Sequence, residues 1–188
     1  MEREKPGGIM KSGRAFVGID LVGDFVNGKF GSIKAEELAK RANVFLKRID
    51  QEETIVLTLD SHIKDDPEFR VWGEHCLGGT PGSELYGGLG EINAYHVKKR
   101  FYDAFYQSDL DGYLRGMNIK SICLFGISTD ICVLHTAAGA FYRYYNITVI
   151  DDLCISLREE DHYMAIEQMK RLYGANTIKS YELVNLDE

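Results

Sequence analysis

The chain predicts an α/β fold in which a parallel sheet is covered by helices. Three observations carry that prediction. Short apolar, β-branched runs alternate with stretches of helical periodicity along most of the chain. The runs are near-continuously apolar rather than alternating, which is the pattern of strands buried on both faces. The helical stretches repeat apolar residues at the spacing of one buried side. At 188 residues the chain is expected to form a single domain, with a core large enough to need no staple.

The elements follow in order. Residues 1–14 are polar and glycine-containing without periodicity, and are read as a loose N-terminal extension. Residues 15–20 (AFVGID) form the first strand, ending in Asp20. Residues 34–49 read as a helix with Leu38, Val44, Phe45 and Ile49 on its apolar face. Residues 54–60 (TIVLTLD) form a second strand, again ending in an aspartate. Residues 61–93 are rich in Gly, Pro and polar groups and read as one long irregular loop. Such a loop is uncommon inside a compact domain and is usually functional. Residues 95–98 form a short strand, 108–117 a helix, 121–127 a strand and 130–145 an apolar helix. Residues 147–151 are a strand, and 159–173 a helix with Met164, Ile166, Met169 and Leu172 apolar. Residues 176–179 close the pattern as a last strand.

Composition narrows the function. Lys+Arg 22 against Asp+Glu 29 gives a net charge of -7, which argues against a nucleic-acid or anionic-membrane surface. No apolar run approaches the roughly 18 residues that cross a bilayer, and the N-terminus does not read as a signal peptide. The four cysteines form no CxxC pair and no disulfide framework. The expectation is a cytoplasmic protein with reduced thiols.

In open parallel sheets, chemistry collects beyond the carboxyl ends of the strands. Cys132 is predicted there, in the first turn of a helix entered directly from a strand. Helix N-termini favour the thiolate, so Cys132 is a candidate nucleophile; position alone leaves equally open a small residue packing the junction. Asp60 and His62 are two apart in an extended segment and so share a face. With His75, thirteen residues further on, they make a donor set suited to Zn, Fe or Mn with open positions. Glu68 is a weaker or water-mediated fourth ligand. The alternative is polar loop residues on a wet surface. A thiol also needs a base or a cation. Of the five histidines, two belong to the metal idea. His135 is expected to point into the sheet packing, His96 to lie mid-strand, and His162 to sit on a distant helix. Asp20 could take the thiol proton instead and Lys99 could stabilise the thiolate; a turn-capping aspartate and a surface lysine are the plain alternatives.

Taken together, GIDLVGDF around Asp20, Asp60-x-His62, WGEHCLGGTPGSEL around His75, KRFYDAF at Lys99 and GISTDIC at Cys132 resemble the isochorismatase-like cysteine hydrolases, over residues 14–180. The likeness is to the metal-containing nicotinamidase/pyrazinamidase and N-carbamoylsarcosine amidase branch. It implies a three-layer Rossmann-like fold with a six-stranded parallel sheet, assembled as homo-oligomers. It implies a catalytic set of Asp20, Lys99 and Cys132. It implies a cis peptide between Ile127 and Ser128, aiming the backbone N–H groups of Ser128 and Cys132 at one point as an oxyanion hole. It implies a divalent metal, first of all Zn, on Asp60, His62 and His75, and a flat substrate between Phe25, Trp72 and Tyr102. The implied reaction releases ammonia from a small amide, with nicotinamide foremost and a small carbamoyl compound as the alternative. The latter carries a carboxylate and would want an arginine, for which Arg70 and Arg100 are the nearby candidates. The chain departs from the family pattern at Val22 (usually Gln), Ser128 (usually Ala) and Gly73-Glu74 (often Pro-Pro), all expected on the pocket wall. A vinyl-ether hydrolase, a silent scaffold and a redox thiol protein are the other classes weighed. The metal set and the cysteine speak against the first, the intact set of three against the second, and the missing CxxC partner against the third.

Overall fold

A computed structural model describes residues 13–49 and 53–184. Most of the expected N-terminal extension, residues 1–12, lies outside the described residues. The elements run β1 (Arg14–Ile19), α1 (Gly23–Val26), α2 (Ile33–Arg48), β2 (Thr54–Asp60), α3 (Phe69–Trp72), β3 (Tyr95–Lys99), α4 (Leu110–Gly116) and β4 (Ser121–Ile127). A π turn (Thr129–Val133), α5 (Leu134–Tyr142), β5 (Asn146–Ile155), α6 (Glu159–Tyr173) and β6 (Asn176–Ile178) complete them.

The six strands pair in the order β3-β2-β1-β4-β5-β6, and every pairing is parallel. The two halves therefore wind outward from the β1–β4 pair in opposite directions. Right-handed crossovers then put α2 on one face and α5 and α6 on the other, giving three layers. The continuous apolar runs of β1, β2 and β4 are buried almost throughout, as strands covered on both faces require. Phe16 of β1 and Phe125 of β4 both make T-shaped contacts with Phe45 on α2.

The helices form where capping and periodicity agree. The Ser32 hydroxyl caps α2 by accepting from the Ala35 N–H at 3.1 Å, and the helix buries Leu38, Ala39, Ala42, Phe45 and Leu46. Val44, expected on the apolar face, is largely exposed. In α6, acidic residues fill the first turn and basic ones the last, and Gly174 closes it with a left-handed backbone. Ile166 and Met169 are buried there, but Met164 and Leu172 are exposed.

Two stretches differ in kind from expectation. Residues 61–93 are not one irregular loop: they hold α3 and two 3-10 turns, Pro81–Ser83 and Gly87–Glu91. Bridges from His62 to Leu77 and from Val22 to Leu85 tie the stretch to the body. The helix expected from residue 130 begins at Leu134, because a wider π turn comes first. In addition, β5 runs to Ile155, past an irregularity that shifts its register against β4. No helix among the described residues is long and apolar enough to cross a membrane.

Candidate active site

The switch in strand order falls between β1 and β4, so a crevice opens where Ile19 and Ile127 end. Each strand delivers its residue through an unusual backbone. Asp20 follows β1 with φ at 51°, a left-handed conformation that aspartate tolerates better than most residues. Its N–H donates to both the carbonyl and the hydroxyl of Thr58 at 3.2 Å, and the Thr58 hydroxyl donates to Asp20 Oδ1 at 2.7 Å. Beyond β4, the Ile127–Ser128 peptide is cis. The Ser128 carbonyl then accepts from both the Ile131 and the Val133 N–H groups at 3.1 Å. The five-residue reach of the second bond makes the turn carrying Cys132 a π turn rather than α-helix. Gly126 makes the close approach of β1 and β4 feasible: a Cβ there would lie 2.1 Å from the Ile19 carbonyl oxygen, and its φ is +127°.

Lys99 ends β3 in register with Asp60 on β2, so both side chains leave the sheet on one face. From there Lys99 Nζ reaches Asp20 Oδ2 at 2.6 Å, Asp60 Oδ1 at 3.1 Å and Cys132 Sγ at 3.6 Å. The one ammonium thus hydrogen-bonds Asp60 and Cys132 and is ion-paired with Asp20. The Lys99 and Asp20 side chains are fully buried. Burial pushes the Asp20 carboxyl up, and the Lys99 charge only partly offsets it. Burial pushes the Cys132 thiol well up, again against Lys99. Asp60 also feels burial, but Lys99 and His62 outweigh it and hold this carboxyl down at about 2. The opposing influences are dehydration and one lysine.

The second oxygen of Asp60 faces elsewhere. His62 Nε2 lies 3.0 Å and His75 Nε2 3.6 Å from Asp60 Oδ2. A short parallel bridge makes this possible: the His62 N–H donates to the Cys76 carbonyl and the Gly78 N–H to the His62 carbonyl, both at 2.8 Å. It brings His75 beside His62, thirteen residues earlier. His75 Nδ1 donates to the Gly73 carbonyl at 2.8 Å, which fixes the tautomer that leaves Nε2 free to ligate. His62 Nδ1 lies 3.3 Å from Asp66, which Arg100 holds at 3.0 Å. The three ligand atoms lie within 4.8 Å of one another. Two inward imidazoles with outer partners and one carboxylate fit a divalent transition metal. Glu68 stands 3.8 Å from His75 Nε2, and burial, reinforced by Asp60, pushes its carboxyl up to about 7.

A cavity of about 490 Å³ opens over this cluster. Asp60, His75, Glu68 and Cys132 line it, with Phe25, Trp72 and Tyr102 among its walls. Trp72 Nε1 donates to the Tyr102 hydroxyl at 2.9 Å, and Phe25 packs on the His75 ring with centroids 5.8 Å apart. The residues expected to form the catalytic set, the metal ligands and the ring walls thus converge. The sequence reading missed Phe30, which lines the cavity and meets the edges of both Trp72 and His75. It also missed Thr58, and the first turn of α2 as a cavity wall. The hydroxyl of Thr58 on an otherwise apolar strand was the available signal for that residue.

Four expectations are corrected. His135 does not point into the sheet packing: it is exposed, and its Nδ1 bonds the Ile131 carbonyl at 2.7 Å. His162 is distant only in sequence, since α6 packs on the π turn. Arg100 is committed to Asp66, and neither it nor Arg70 lines the cavity. Val22 is not on the cavity wall, being fully buried and bridged to Leu85.

Residues 14–182 match the isochorismatase domain. The N-carbamoylsarcosine amidase of Thermoplasma acidophilum is 34% identical, with a TM-score of 0.80 over 89% of this chain and 96% of that one. The pyrazinamidase/nicotinamidase of Streptococcus mutans is also 34% identical, with a TM-score of 0.81 over 88% and 99%. The pyrazinamidase of Pyrococcus horikoshii, solved in complex with zinc, is 26% identical, with a TM-score of 0.80 over 88% and 98%.

Proposed function

This chain belongs to the isochorismatase family of hydrolases, and from that premise we propose that it is a metal-containing cysteine amidohydrolase releasing ammonia from a small amide, foremost nicotinamide. The observation that carries the proposal is the single ammonium of Lys99 shared by Asp20, Asp60 and Cys132 beneath an aromatic-walled cavity.

Asp20 accepts the Cys132 proton as the sulfur attacks the amide carbonyl. A carboxyl raised by burial holds a proton more readily than an exposed one, which suits it to accept and return that proton. Backbone N–H groups of Ser128 and Cys132 hold the oxyanion. Asp20 then gives the proton to the leaving nitrogen, and ammonia departs from a Cys132 thioester. Water, deprotonated by Asp20, hydrolyses the thioester and regenerates the thiol. Lys99 stabilises whichever of the two, the Asp20 carboxylate or the Cys132 thiolate, carries the negative charge as the proton moves between them. Asp60, His62 and His75 would hold a divalent metal, zinc first and iron or manganese as alternatives, which would supply a Lewis-acidic site for a ring nitrogen. Phe25, Trp72 and Tyr102 hold a flat ring by stacking and edge contacts. The second reading, a carbamoyl compound bearing a carboxylate, is favoured by Lys34, which lines the same cavity. The four free, buried cysteines support a reducing compartment, and exposed Phe141, Tyr142 and Tyr144 support a homo-oligomer.

The test is ammonia release from nicotinamide by the metal-loaded protein, with Cys132→Ala as the blank. Turnover that disappears in the variant supports both the nucleophile and the substrate. Turnover on N-carbamoyl amino acids but not nicotinamide moves the assignment to the second reading. Turnover that persists in Cys132→Ala removes the thioester route.

A further inference from the structure

The π turn that carries Cys132 is tied from behind by side chains outside the cavity. Thr129, the first residue of that turn, is fully buried. Its hydroxyl lies 2.9 Å from His162 Nδ1 on α6. On the other side of the ring, His162 Nε2 lies 2.9 Å from Asp151 Oδ1 on β5. The second oxygen of Asp151 is held by Lys179, just beyond β6. A carboxylate only accepts hydrogen bonds, so Nε2 donates to it, and a ring carrying one proton presents Nδ1 as the acceptor for the Thr129 hydroxyl. The chain Lys179–Asp151–His162–Thr129 therefore has a donor matched to each acceptor and ends one residue from Ser128.

We propose that His162 is a positioning residue: anchored on Asp151, it holds Thr129 by its hydroxyl and fixes the turn that presents Ser128 and Cys132. Ser128 and Cys132 flank Thr129 on the same turn, so a loosened Thr129 shifts the oxyanion donors and moves the sulfur off Lys99. His162 touches neither the cavity nor the metal ligands. This inference rests on the reading of Cys132 as the reacting thiol.

The experiment is alkylation of Cys132 by iodoacetamide at fixed pH, read by peptide mass spectrometry, which needs no substrate. His162→Ala and Thr129→Val are each expected to slow it about five- to tenfold, the scale of one lost hydrogen bond. Thr129→Ser, which keeps the hydroxyl, is expected to restore most of the rate. The double variant is expected to be no slower than the slower single one, because the two act as a unit. A merely structural role predicts the opposite sign, since a loosened fold exposes a buried thiol. Unchanged or faster alkylation in both single variants, or no rescue by Thr129→Ser, overturns the proposal. If His162→Ala does not fold, the near-isosteric Thr129→Val carries the test. Where the wild type releases ammonia, kcat is expected to fall by the same factor with KM unchanged. Absence of ammonia from the wild type counts against the amidase reading, and alkylation still decides the role of His162.

Discussion

Two lysine–aspartate clusters flank the same turn, and they behave differently. In the first, Lys99 and Asp20 have no exposed side-chain surface. In the second, Lys179 is 40% and Asp151 20% exposed, and His162 is 12% exposed. Burial raises the Asp20 carboxyl despite its lysine at 2.6 Å. Burial also acts on Asp151, but Lys179 and His162 prevail and lower it. The same ion pair thus leaves the carboxyl raised where both side chains are fully buried and lowered where they are partly exposed. Burial, more than the partner, sets the direction in which each aspartate is shifted.

Substitutions can break that contrast. The largest expected effect is on turnover. Asp20→Asn should lower ammonia release about 10²- to 10⁴-fold, the range of a lost general acid–base group, whereas Asp151→Asn should lower it by no more than about tenfold. Equal losses would erase the distinction. The next concerns stability in urea. Lys99→Met strands two buried carboxylates and should cost about 3–5 kcal/mol, while Lys179→Met should cost under about 1 kcal/mol. A similar contrast separates the two aspartate-bonded histidines. His62→Ala should lower metal affinity roughly 10- to 100-fold or more, measured by metal analysis after dialysis, and His162→Ala should leave the metal in place.

The smallest effect is in the pH dependence of stability. A carboxyl lowered on folding stabilises above its unfolded value and loses that contribution as pH falls through its folded value. The contribution of Asp151 is therefore present above about 3.8 and lost below it. Asp151→Asn should flatten the acid limb by under about 1 kcal/mol. Asp20 is raised on folding, so its ionisation costs stability as pH climbs above 3.8, and Asp20→Asn should change the slope in the opposite sense. Urea denaturation between pH 3 and 6 reads both.

The strands, their parallel arrangement and the residues that converge on the cavity were legible in the sequence. Continuous apolar runs and strand-end aspartates are local signals, and the motifs around Cys132 and His75 are dense. What was not legible depends on backbone geometry or on faces. Nothing in GISTDIC distinguishes a π turn from an α-helix, because the difference is one carbonyl shared by two N–H groups. The continuation of β5 is hidden by Asp151 and Asp152, which interrupt its apolar run. Val44, Met164 and Leu172 fit a helical period but sit at the margin of the buried stripe, where they are exposed. His162 was misplaced because sequence distance carries no information about which helix packs on the turn.

Gly126 has a consequence for how this chain can vary. Any side chain there would collide with the Ile19 backbone, and backbone, unlike a flexible neighbour, cannot swing aside. In a saturation library selected for activity, glycine should be the sole survivor at 126. Leu157, on the cavity rim and largely exposed, should accept many replacements. The spacing between the strand that ends at Asp20 and the one that leads to Cys132 would then be written into a single codon.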